Sequence, residues 1–245
     1  MDLEAAARKL GVHYQTAYRW VRSGALPAVK VGPEYEIDPE DVERLIEQQR
    51  VGRSVAAADP DWAARTAELY EGLRAVDEIE AQFLVDRLHS GGVPPLDLCE
   101  RLIRPTLTRL GEDYEAGAAS SADIAVAAGI CERLVGSLAT PPRGRPRGLA
   151  VVASPEGEHH RLPGLMATVV LRADRWRVHH LGVDVPADDL VGFVQTTSPD
   201  VVVLSVMAAV DAGTAAHNRL VAECGLRVVV GEAGARLSRL LHEVT

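Results

Sequence analysis

The first fifty residues carry two short amphipathic helical patterns that are separated by a turn. In the first pattern the apolar positions recur every three or four residues, at Leu3, Ala6, Ala7 and Leu10. A tight turn is predicted at Gly11-Val12, and the second pattern stops at Ser23-Gly24. The spaced positions of this second pattern are Thr16, Ala17, Trp20 and Val21. Because residues at i, i+3 and i+4 share one face of a helix, the sequence predicts a helix-turn-helix.

A predicted hairpin and a third helix complete this segment. Leu26–Val31 and Tyr35–Ile37 alternate apolar and polar residues around Gly32-Pro33-Glu34, which is the pattern of two strands joined by a turn. Asp38-Pro39 is a helix start signal, and the apolar positions after it are Val42, Leu45 and Ile46. The sequence therefore predicts a winged helix-turn-helix over residues 1–50.

The middle of the chain, from Trp62 to Leu138, has a helical pattern almost throughout. One helix is predicted through the apolar positions Leu69, Leu73, Val76 and Ile79. After a break at Gly91–Pro95, a further helix resumes at Leu98 and is predicted to end at Leu110-Gly111. Gly117 is placed in a short connection, and the last helix is predicted from Ile124 to Leu138. The pattern as a whole is interpreted as four helices with short loops, which predicts a bundle over residues 61–140. Linkers are predicted on either side, at Arg50–Pro60 and Pro141–Gly148.

The remaining residues, 148–245, alternate between strand-like and helix-like segments. Strands are predicted at Leu149–Ala153, Arg177–Leu181, Val201–Val206 and Arg227–Val230. Helices are predicted between them at Leu162–Ala173, Ala187–Thr196 and Gly213–Cys224. The third strand is apolar without alternation, which is typical of a strand covered on both faces. The fold class is therefore multidomain, with a winged helix-turn-helix, a four-helix bundle and a Rossmann-like α/β domain.

The loop predicted after the first strand of this domain, Ser154–Met166, carries the candidate chemistry. Ligands bind at the carboxyl edge of a parallel sheet, and Glu158 and His160 there form a Glu-x-His pair. A carboxylate can fix the tautomer of a neighbouring imidazole and raise its basicity as a metal ligand. His159 is an alternative ligand, and a solvated polar loop is a further interpretation. Of the second pair, His179-His180, at most one side chain could join a site, because adjacent strand residues face opposite ways.

Composition and charge restrict the class of protein. The chain has 245 residues, 47% of them hydrophobic, which predicts globular domains with substantial cores. Its net charge of −9 argues by itself against a protein coated in nucleic acid, but does not show where the basic residues lie. The cysteines are three and widely spaced, so neither disulfides nor a zinc site is predicted, and a cytoplasmic location is expected. The longest apolar run, Val201–Val210, is too short to cross a bilayer. No nucleophile and base are paired in the sequence, so an enzyme is not predicted.

Residues Ala6–Gly32 resemble the winged helix-turn-helix of the MerR and excisionase families. Residues 1–30 hold five basic side chains and two acidic ones, and the resemblance implies double-stranded DNA as a partner. Candidate contacts in the major groove, on a recognition helix that begins near His13, are Tyr14, Gln15, Tyr18, Arg19 and Arg22. Lys30 in the wing is expected to contact phosphate. An interaction module of the same fold is the alternative.

The carboxyl-terminal motifs resemble the cobalamin-binding domains of the methionine-synthase type. When His160 is set on the family's histidine, 41 residues remain from Gly164 to Leu204, and Ser205 falls on the family's serine. Met207 then falls on its leucine, and Gly231 on the first of its paired glycines. The resemblance implies cobalamin as the cofactor, with His160 as the lower axial ligand of cobalt and Glu158 as its polar partner. It also implies that Ser205 hydrogen-bonds the displaced dimethylbenzimidazole tail.

The same alignment shows departures from the family. Pro163 stands at the family's glycine after the histidine, and Glu232 stands at the second of the paired glycines, where its side chain could crowd the tail. Only one short helix is predicted after Gly234, so the family's fifth strand and last helix are expected to be absent. These departures predict a remodelled pocket.

Arg104–Leu107, followed by Leu110-Gly111 and Tyr114, is similar to a cap helix of the light-responsive, cobalamin-dependent MerR-type repressors of carotenoid genes. In that family a Trp and a Glu-His pair lie over the upper face of the corrin, and here Tyr114, Ile124 and Ala125 stand at those positions. Tyr114 is thus a candidate corrinoid contact, with a place in the bundle core as the alternative. Because the Glu-His pair is missing, the resemblance does not carry over the family's light-driven reaction at the upper face.

Taken together, these patterns predict a DNA-binding transcriptional regulator, a repressor by resemblance, that senses a corrinoid such as adenosylcobalamin. Light is a possible second input, and a homo-oligomer, dimer or tetramer, is implied by the resemblance. One alternative keeps the DNA-binding regulator but has it bind another tetrapyrrole or no ligand. Another alternative is a corrinoid carrier protein, which leaves the winged helix without a role.

Overall fold

The structure is a computed structural model that describes residues 1–10, 14–32, 34–45, 59–139 and 145–244. By its internal contacts the chain divides into two compact units: residues 1–60 with 86–92, and residues 61–85 with 93–245. The predicted linkers lie mostly outside the described residues, and their described parts have no regular secondary structure. The limits predicted for the three domains stay predictions.

Two helices begin the amino-terminal module, α1 (Leu3–Leu10) and α2 (Tyr14–Ser23). The four apolar positions predicted on α1 are all buried, and Ala17 of α2 is fully buried. The predicted turn at Gly11-Val12 lies outside the described residues. The core of the module contains Leu3, Ala6, Ala7, Leu10, Ala17, Leu26, Ile37 and Val42. The two predicted helices are therefore confirmed, together with the faces that they bury.

The hairpin consists of β1 (Val29–Val31) and β2 (Glu34–Glu36), which pair antiparallel with Lys30 opposite Tyr35. Helix α3 covers residues 39–45, and the side chain of Asp38 begins it by accepting the N–H of Glu40 at 2.9 Å. The predicted wing and third helix are confirmed, and Pro33 and Ile46 lie outside the described residues.

Four helical segments follow, as predicted. They are α4 (Trp62–Arg74), α5 (Glu78–Ser90), a third segment and α8 (Ser121–Ser137). The third segment starts as α6 (Pro95–Asp97), passes through a π-helical turn (Leu98–Ile103) and continues as α7 (Arg104–Glu115). Helices α4, α7 and α8 pack against one another. An ion pair between Arg133 and Glu78 (2.5 Å) links α8 to α5.

The single helix predicted through Val76 and Ile79 is wrong. Helix α4 ends at Arg74, and Val76 has a left-handed backbone (φ 57°) and a side chain that is 58% exposed. Asp77 starts α5 by accepting the N–H of Glu80 at 3.1 Å. A capping signal therefore ends the helix although the apolar spacing continues through it.

The helix end predicted at Leu110-Gly111 is also wrong, because α7 continues to Glu115. A glycine inside a helix costs only about 1 kcal/mol relative to alanine, and neighbouring residues offset that cost here. The connection instead contains Gly117, whose φ of 73° is easily reached by glycine. Helix α8 then starts at Ser121, three residues before the predicted Ile124, because Ser120 and Asp123 form a capping box.

The α/β domain has four parallel strands in the order β4-β3-β5-β6. The strands are β3 (Leu149–Pro155), β4 (Arg177–Val185), β5 (Val201–Val206) and β6 (Arg227–Glu232). The helices are α9 (Arg161–Ala173), α10 (Ala187–Thr197), α11 (Val210–Cys224) and α12 (Leu237–Val244). All residues of β5 are buried, as its apolar run predicts. The predicted Rossmann-like architecture is confirmed.

Helices cover both faces of this sheet. Leu171 of α9 and Leu240 of α12 belong to the core on one face, and Leu190 of α10 and Leu220 of α11 belong to the core on the other. Strand β6 is at the edge of the sheet, and within the described residues no fifth strand pairs with it. The short helix α12 therefore covers the edge region on the same face as α9.

The histidine loop is shorter than predicted. Strand β3 runs through Pro155 and α9 begins at Arg161, so residues 156–160 alone connect them. His160 occupies the N-cap position of α9 with an extended backbone, and its side chain makes no capping hydrogen bond. The imidazole is thus available for other contacts at the carboxyl edge of the sheet.

Candidate functional site

Two hydrogen bonds with Asp184 fix the loop of residues 156–160 to the end of strand β4. The N–H of Gly157 donates to Oδ1 of Asp184 (2.8 Å), and the N–H of Asp184 donates to the carbonyl of Glu158 (3.0 Å). Gly157 and Asp184 both have positive φ, 78° and 56°, a region that Gly and Asp enter more readily than most residues. The loop is therefore held in a defined conformation beside the neighbouring strand.

Glu158 has a fully buried side chain at the centre of this loop. Its Oε2 accepts the backbone N–H groups of Met207 (2.6 Å), Ala208 (2.6 Å) and Ala209 (3.2 Å). These residues follow β5 and immediately precede α11, so the carboxylate lies at the amino end of that helix, where negative charge is favoured. Its Oε1 accepts the backbone N–H of His160 at 3.0 Å. One carboxylate thus joins the loop after β3 to the loop after β5.

These contacts hold Glu158 in its charged form. Burial by itself would raise the pKa of the carboxyl group, but the hydrogen bonds from Ala208, His160 and Met207 outweigh it and hold the pKa well below its usual range. Glu158 is therefore an anion at neutral pH in spite of its burial.

His160 is oriented by this anion. Its Nδ1 lies 2.6 Å from Oε1 of Glu158, and its side chain is 60% exposed. A carboxylate can only accept, so Nδ1 carries the hydrogen and, in the neutral ring, Nε2 keeps its lone pair. This is the tautomer that binds a metal through Nε2. His159 is exposed, and it is His160 rather than His159 that Glu158 holds.

The donor set suits a metal that brings most of its own ligands. In the part of the chain that the structure describes, no group of three or more His, Cys, Asp or Glu side chains could hold a metal ion. The cobalt of a corrin already has four equatorial nitrogen ligands and lacks only axial ones. A single oriented imidazole is therefore sufficient for it and insufficient for a bare zinc ion.

Three further candidate residues, Ser205, Met207 and Gly231, lie together around a cavity of about 140 Å³. Ser205 is buried at the end of β5, and Glu232 lies on the wall of the same cavity with an exposed side chain. The cavity is lined by Pro163, Ala167, Val203, Ser205, Met207, Val229, Val230, Gly231, Glu232, Ala235, Arg236, Leu237, Arg239, Leu240 and Glu243. It therefore lies between α9 and α12, over the carboxyl ends of β5 and β6.

Gly164, rather than the residue at position 163, brings α9 close to the sheet. A Cβ at Gly164 would lie 3.2 Å from Nε2 of His180 and 3.7 Å from Cβ of Ser205. Pro163 fits in the first turn of α9, where a proline is tolerated. The glycine that the alignment looked for thus has its counterpart one residue later.

Two buried polar atoms beside Gly164 have no hydrogen-bond partner in the described part of the chain, Oγ of Ser154 and Nε2 of His180. Burial lowers the pKa of His180, and the nearby Arg172 and Arg161 lower it further, so its ring is neutral. His179 is exposed and stacks edge-on against Phe193. As predicted, the two adjacent histidines face opposite ways.

None of the candidate residues on the helical bundle, Tyr114, Ile124 and Ala125, is fully buried. Tyr114 lies near the end of α7 and is 51% exposed, so the alternative that it belongs to the bundle core is wrong. Ile124 is half-buried and Ala125 is exposed on α8. Asp113, which precedes Tyr114 in the chain, accepts a hydrogen bond from the hydroxyl of Tyr70, and Arg109 stacks over the Tyr70 ring.

In the amino-terminal module, Tyr14, Tyr18 and Arg22 are exposed at intervals of four residues on α2, so they share one face. Tyr18 stacks on Tyr14 and contacts Tyr35 of the wing edge-on.

Lys30, the candidate in the wing, is exposed in β1. The side chains of Gln15 and Arg19, and His13 as a whole, lie outside the described residues. The structure thus brings four of the six predicted DNA contacts to the surface of the helix and the wing.

Sequence reasoning missed the backbone groups that complete the site. The N–H groups of Ala208 and Ala209, the turn at Asp184 and the close contact at Gly164 were not predicted. Only Gly164 had a visible signal, as a glycine in the first turn of a helix next to the histidine loop. Hydrogen bonds to backbone atoms about fifty residues away have no local signature.

Known families match three segments of the chain. A helix-turn-helix domain matches residues 1–50, and a B12 binding domain matches residues 148–241. A second B12 binding domain family matches residues 66–139, which contain the helical segments. None of the described helices is long and apolar enough to cross a membrane.

Two transcriptional repressors of Myxococcus xanthus are similar over most of the chain. The HTH-type transcriptional repressor CarH is 31% identical over 204 residues, which are 81% of this chain and 68% of CarH. The HTH-type transcriptional repressor CarA is 32% identical over 219 residues, which are 87% of this chain and 66% of CarA. The chain thus spans about two thirds of the length of each relative. Both relatives are regulators rather than enzymes.

A solved structure matches the helical and α/β parts. The monomethylamine corrinoid protein of Methanosarcina barkeri superposes with a TM-score of 0.59 over 74% of this chain and 90% of that chain, at 19% sequence identity. At this identity the similarity concerns the fold, a helical module followed by a parallel α/β domain.

Proposed function

The chain belongs to the family of the HTH-type transcriptional repressor CarH, and from that premise we propose that it is a repressor whose α/β domain binds adenosylcobalamin. In this proposal the winged helix binds operator DNA, and the corrinoid controls a homo-oligomer that forms on the DNA. His160 is the lower axial ligand of cobalt, and Glu158 positions it.

One observation carries the proposal, the contact between Glu158 and Nδ1 of His160. It leaves Nε2 exposed at the edge of the sheet, where parallel α/β domains bind ligands. The loop is fixed on both sides, by Asp184 and by the amides that follow β5. The imidazole therefore has a set direction before a ligand arrives, which lowers the entropy cost of binding.

The cavity beside Ser205 supports a place for the nucleotide tail. If His160 bound cobalt as the resemblance implies, the nucleotide tail of cobalamin would need another location. The cavity of about 140 Å³ contains the Ser205 hydroxyl and, at Gly231, a position without a side chain. It is smaller than ligand pockets usually are, roughly 300 to 1,000 Å³, so a tail that enters must widen it.

The corrinoid supplies a light-sensitive cobalt–carbon bond when it is adenosylcobalamin. The residues of this chain bind the lower side, orient the imidazole and accommodate the tail. Glu158 keeps the proton on Nδ1 of His160 and so keeps Nε2 free for coordination.

In the winged helix-turn-helix, Tyr14, Tyr18 and Arg22 share one exposed face of α2, which supports contacts with the major groove of DNA. Lys30 in the wing would contact phosphate groups. Replacing Arg22 by Ala is expected to weaken operator binding by about 1 to 3 kcal/mol, measured by gel shift. Arg8→Ala is the matched control, because Arg8 pairs with Glu4 on α1. Equal affinity of the Arg22 variant and the control would remove Arg22 from the interface.

The corrinoid half is tested by an absorbance spectrum and gel filtration with adenosylcobalamin in the dark. We expect the corrinoid to co-elute with the protein, and His160→Ala to lower its affinity by about 100-fold or more, because the only protein ligand of cobalt is lost. His159→Ala is the control and is expected to bind normally. No bound corrinoid, or equal binding by the His160 variant, would contradict the proposal.

A second arm of the same test uses protein isolated from its own host. Corrins, haems and bilins have different spectra, so this sample separates a corrinoid sensor from a regulator that binds another tetrapyrrole.

A further inference from the structure

Residues 234–238, which join β6 to the first turn of α12, are held by the helical bundle. The guanidinium of Arg104 donates from Nη1 to the carbonyl of Ala235 (3.0 Å) and from Nη2 to that of Gly234 (2.6 Å). The carboxylate of Glu100 accepts the backbone N–H (2.8 Å) and the hydroxyl (3.2 Å) of Ser238. Four hydrogen bonds, each with a charged partner, therefore fasten this segment to the third helix of the bundle.

Both contacts suit the groups that they bind. Ser238 lies in the first turn of α12, whose N–H groups lack partners within the helix, and Glu100 supplies an acceptor and a negative charge there. Gly234 has a left-handed backbone (φ 82°), and the carbonyls of the turn are offered to the fork of one arginine. We name these four hydrogen bonds of Glu100 and Arg104 the bundle clasp.

The same segment forms a wall of the cavity beside Ser205. Ala235, Arg236 and Leu237 line that cavity together with Ser205 and Gly231. A group that enters the cavity and widens it must therefore push against the segment that the bundle clasp holds. Helix α12 can yield, because it has eight residues and packs at the edge of the sheet.

We propose that the bundle clasp couples the cavity beside Ser205 to the helical bundle. Through this coupling the protein distinguishes a corrinoid with a nucleotide tail, which fills the cavity, from a corrinoid without one. This inference rests on the proposed function and adds the ligand class, a complete corrinoid. Glu100 and Arg104 act as positioning residues. When the cavity is filled, the wall moves outward and the bundle clasp opens; when it is empty, the bundle clasp stays closed.

The test compares adenosylcobalamin with adenosylcobinamide, which lacks the nucleotide tail, by hydrogen–deuterium exchange of the full chain in the dark. The reporter peptides cover Leu98–Ile103 and Leu237–Val244. In the unmutated protein we expect exchange in these peptides to be roughly tenfold faster with adenosylcobalamin than with adenosylcobinamide, as the loss of charge-assisted hydrogen bonds predicts.

Substitutions in the bundle clasp test whether Glu100 and Arg104 couple the cavity to the bundle, separately from whether the corrinoid binds. With Glu100→Leu and Arg104→Met together, exchange is expected to be fast without ligand and equal for the two corrinoids. Arg104→Lys keeps the charge and one donor group, so an intermediate difference is expected. Arg65→Met is the control, because this bundle arginine pairs with Glu68 on its own helix, and it should behave like the unmutated protein.

The outcomes identify which idea fails. If both corrinoids bind and the reporter peptides exchange at the same rate with each, the bundle clasp does not sense the tail. If the double variant keeps the full difference between the two ligands, the coupling does not pass through Glu100 and Arg104. If neither corrinoid binds, this inference and the proposed function are both wrong.

Discussion

The two sides of the proposed corrinoid site differ in how completely they are built. On the α/β side, Glu158 is buried, charged and hydrogen-bonded to four backbone N–H groups and to the ring of His160. On the bundle side, Tyr114 is half exposed, and Ile124 and Ala125 offer no polar group to a ligand. The lower side is thus organised before binding, and the upper side is not.

This difference separates two properties of the proposed site, the binding of a corrinoid and a light-driven reaction of the bound corrinoid. In the proposed site, binding through His160 would need only the α/β domain, whereas the light-driven reaction that the family resemblance implies would also need a donor from the bundle. In the proposed site, Glu158 and His160 serve the first task, and the apolar Ile124 and Ala125 stand where the resemblance places the residues for the second. We therefore expect strong binding in the dark and a light response that differs from the family pattern.

Among the tests of this comparison, the largest effect is expected from Glu158→Gln, which removes the buried charge on the α/β side. Both oxygens of Glu158 accept N–H groups, whereas the side-chain amide of glutamine has one oxygen and one NH2 group. At least one of the N–H donors therefore loses its acceptor. We expect corrinoid affinity to fall about 10- to 100-fold and the free energy of unfolding to fall by about 2 to 3 kcal/mol. Absorbance titration and urea unfolding measure the two quantities.

The control for this substitution is Glu156→Gln, on the exposed part of the same loop. It should change neither quantity by more than about 0.5 kcal/mol. Equal behaviour of the two variants would mean that the buried carboxylate does not organise the site.

The next effect is a pH dependence of stability. The folded pKa of Glu158 is depressed below its ordinary value of 4.5, so its contribution is fully present above that value and is lost as the pH falls through the folded pKa. The stability difference between the unmutated protein and Glu158→Gln should be largest above pH 4.5 and shrink in more acidic solution. Urea unfolding at a series of pH values measures it, and a constant difference would contradict the assignment.

A smaller effect is expected when the upper side is supplied with the missing pair, as Ile124→Glu with Ala125→His. Binding in the dark should change little. After green light, the double variant is expected to retain corrinoid about tenfold more tightly than the unmutated protein, because a second imidazole becomes available. Dialysis followed by absorbance measures retention, with Ala125→Gln as the control. Equal retention would place Ala125 away from the ligand.

The smallest effect is expected from Tyr114→Ala. The side chain is half exposed, and most exposed substitutions change free energies by about 0.5 kcal/mol or less. Corrinoid affinity in the dark should therefore change by roughly twofold. A loss as large as that of Glu158→Gln would show that the bundle side is as important for binding as the lower side.

The sequence predicts the α/β part of the molecule well because its signals are strong and local. All four predicted strands are present, and β5 matches its predicted bounds. The Glu-x-His motif lies at the carboxyl edge of the sheet, as predicted, because topology fixes where the carboxyl end of the first parallel strand lies. The short interval between Glu158 and His160 also brings them into contact, as the pattern suggests.

The errors have a common physical origin. Val76 and Gly111 are misread because apolar spacing does not record where a helix is capped. The amides after β5 and the bundle clasp join residues that are far apart in the chain, so no local pattern reveals them. The preference of Glu158 for His160 over His159 depends on the direction of a ring, which composition and spacing do not encode.

The π-helical turn at Leu98–Ile103 sets the relative direction of the side chains before and after it in the third helix. Glu100 lies inside this wider turn and Arg104 directly after it, so their common direction depends on the turn's extra residue. Loss of one residue there would convert the wide turn into an ordinary α-helical turn. A single-codon deletion would then change the direction of Glu100 relative to Arg104, and so separate the two side chains of the bundle clasp. A change of that kind could uncouple two halves of a sensor in one evolutionary step, without a substitution in either ligand-binding surface.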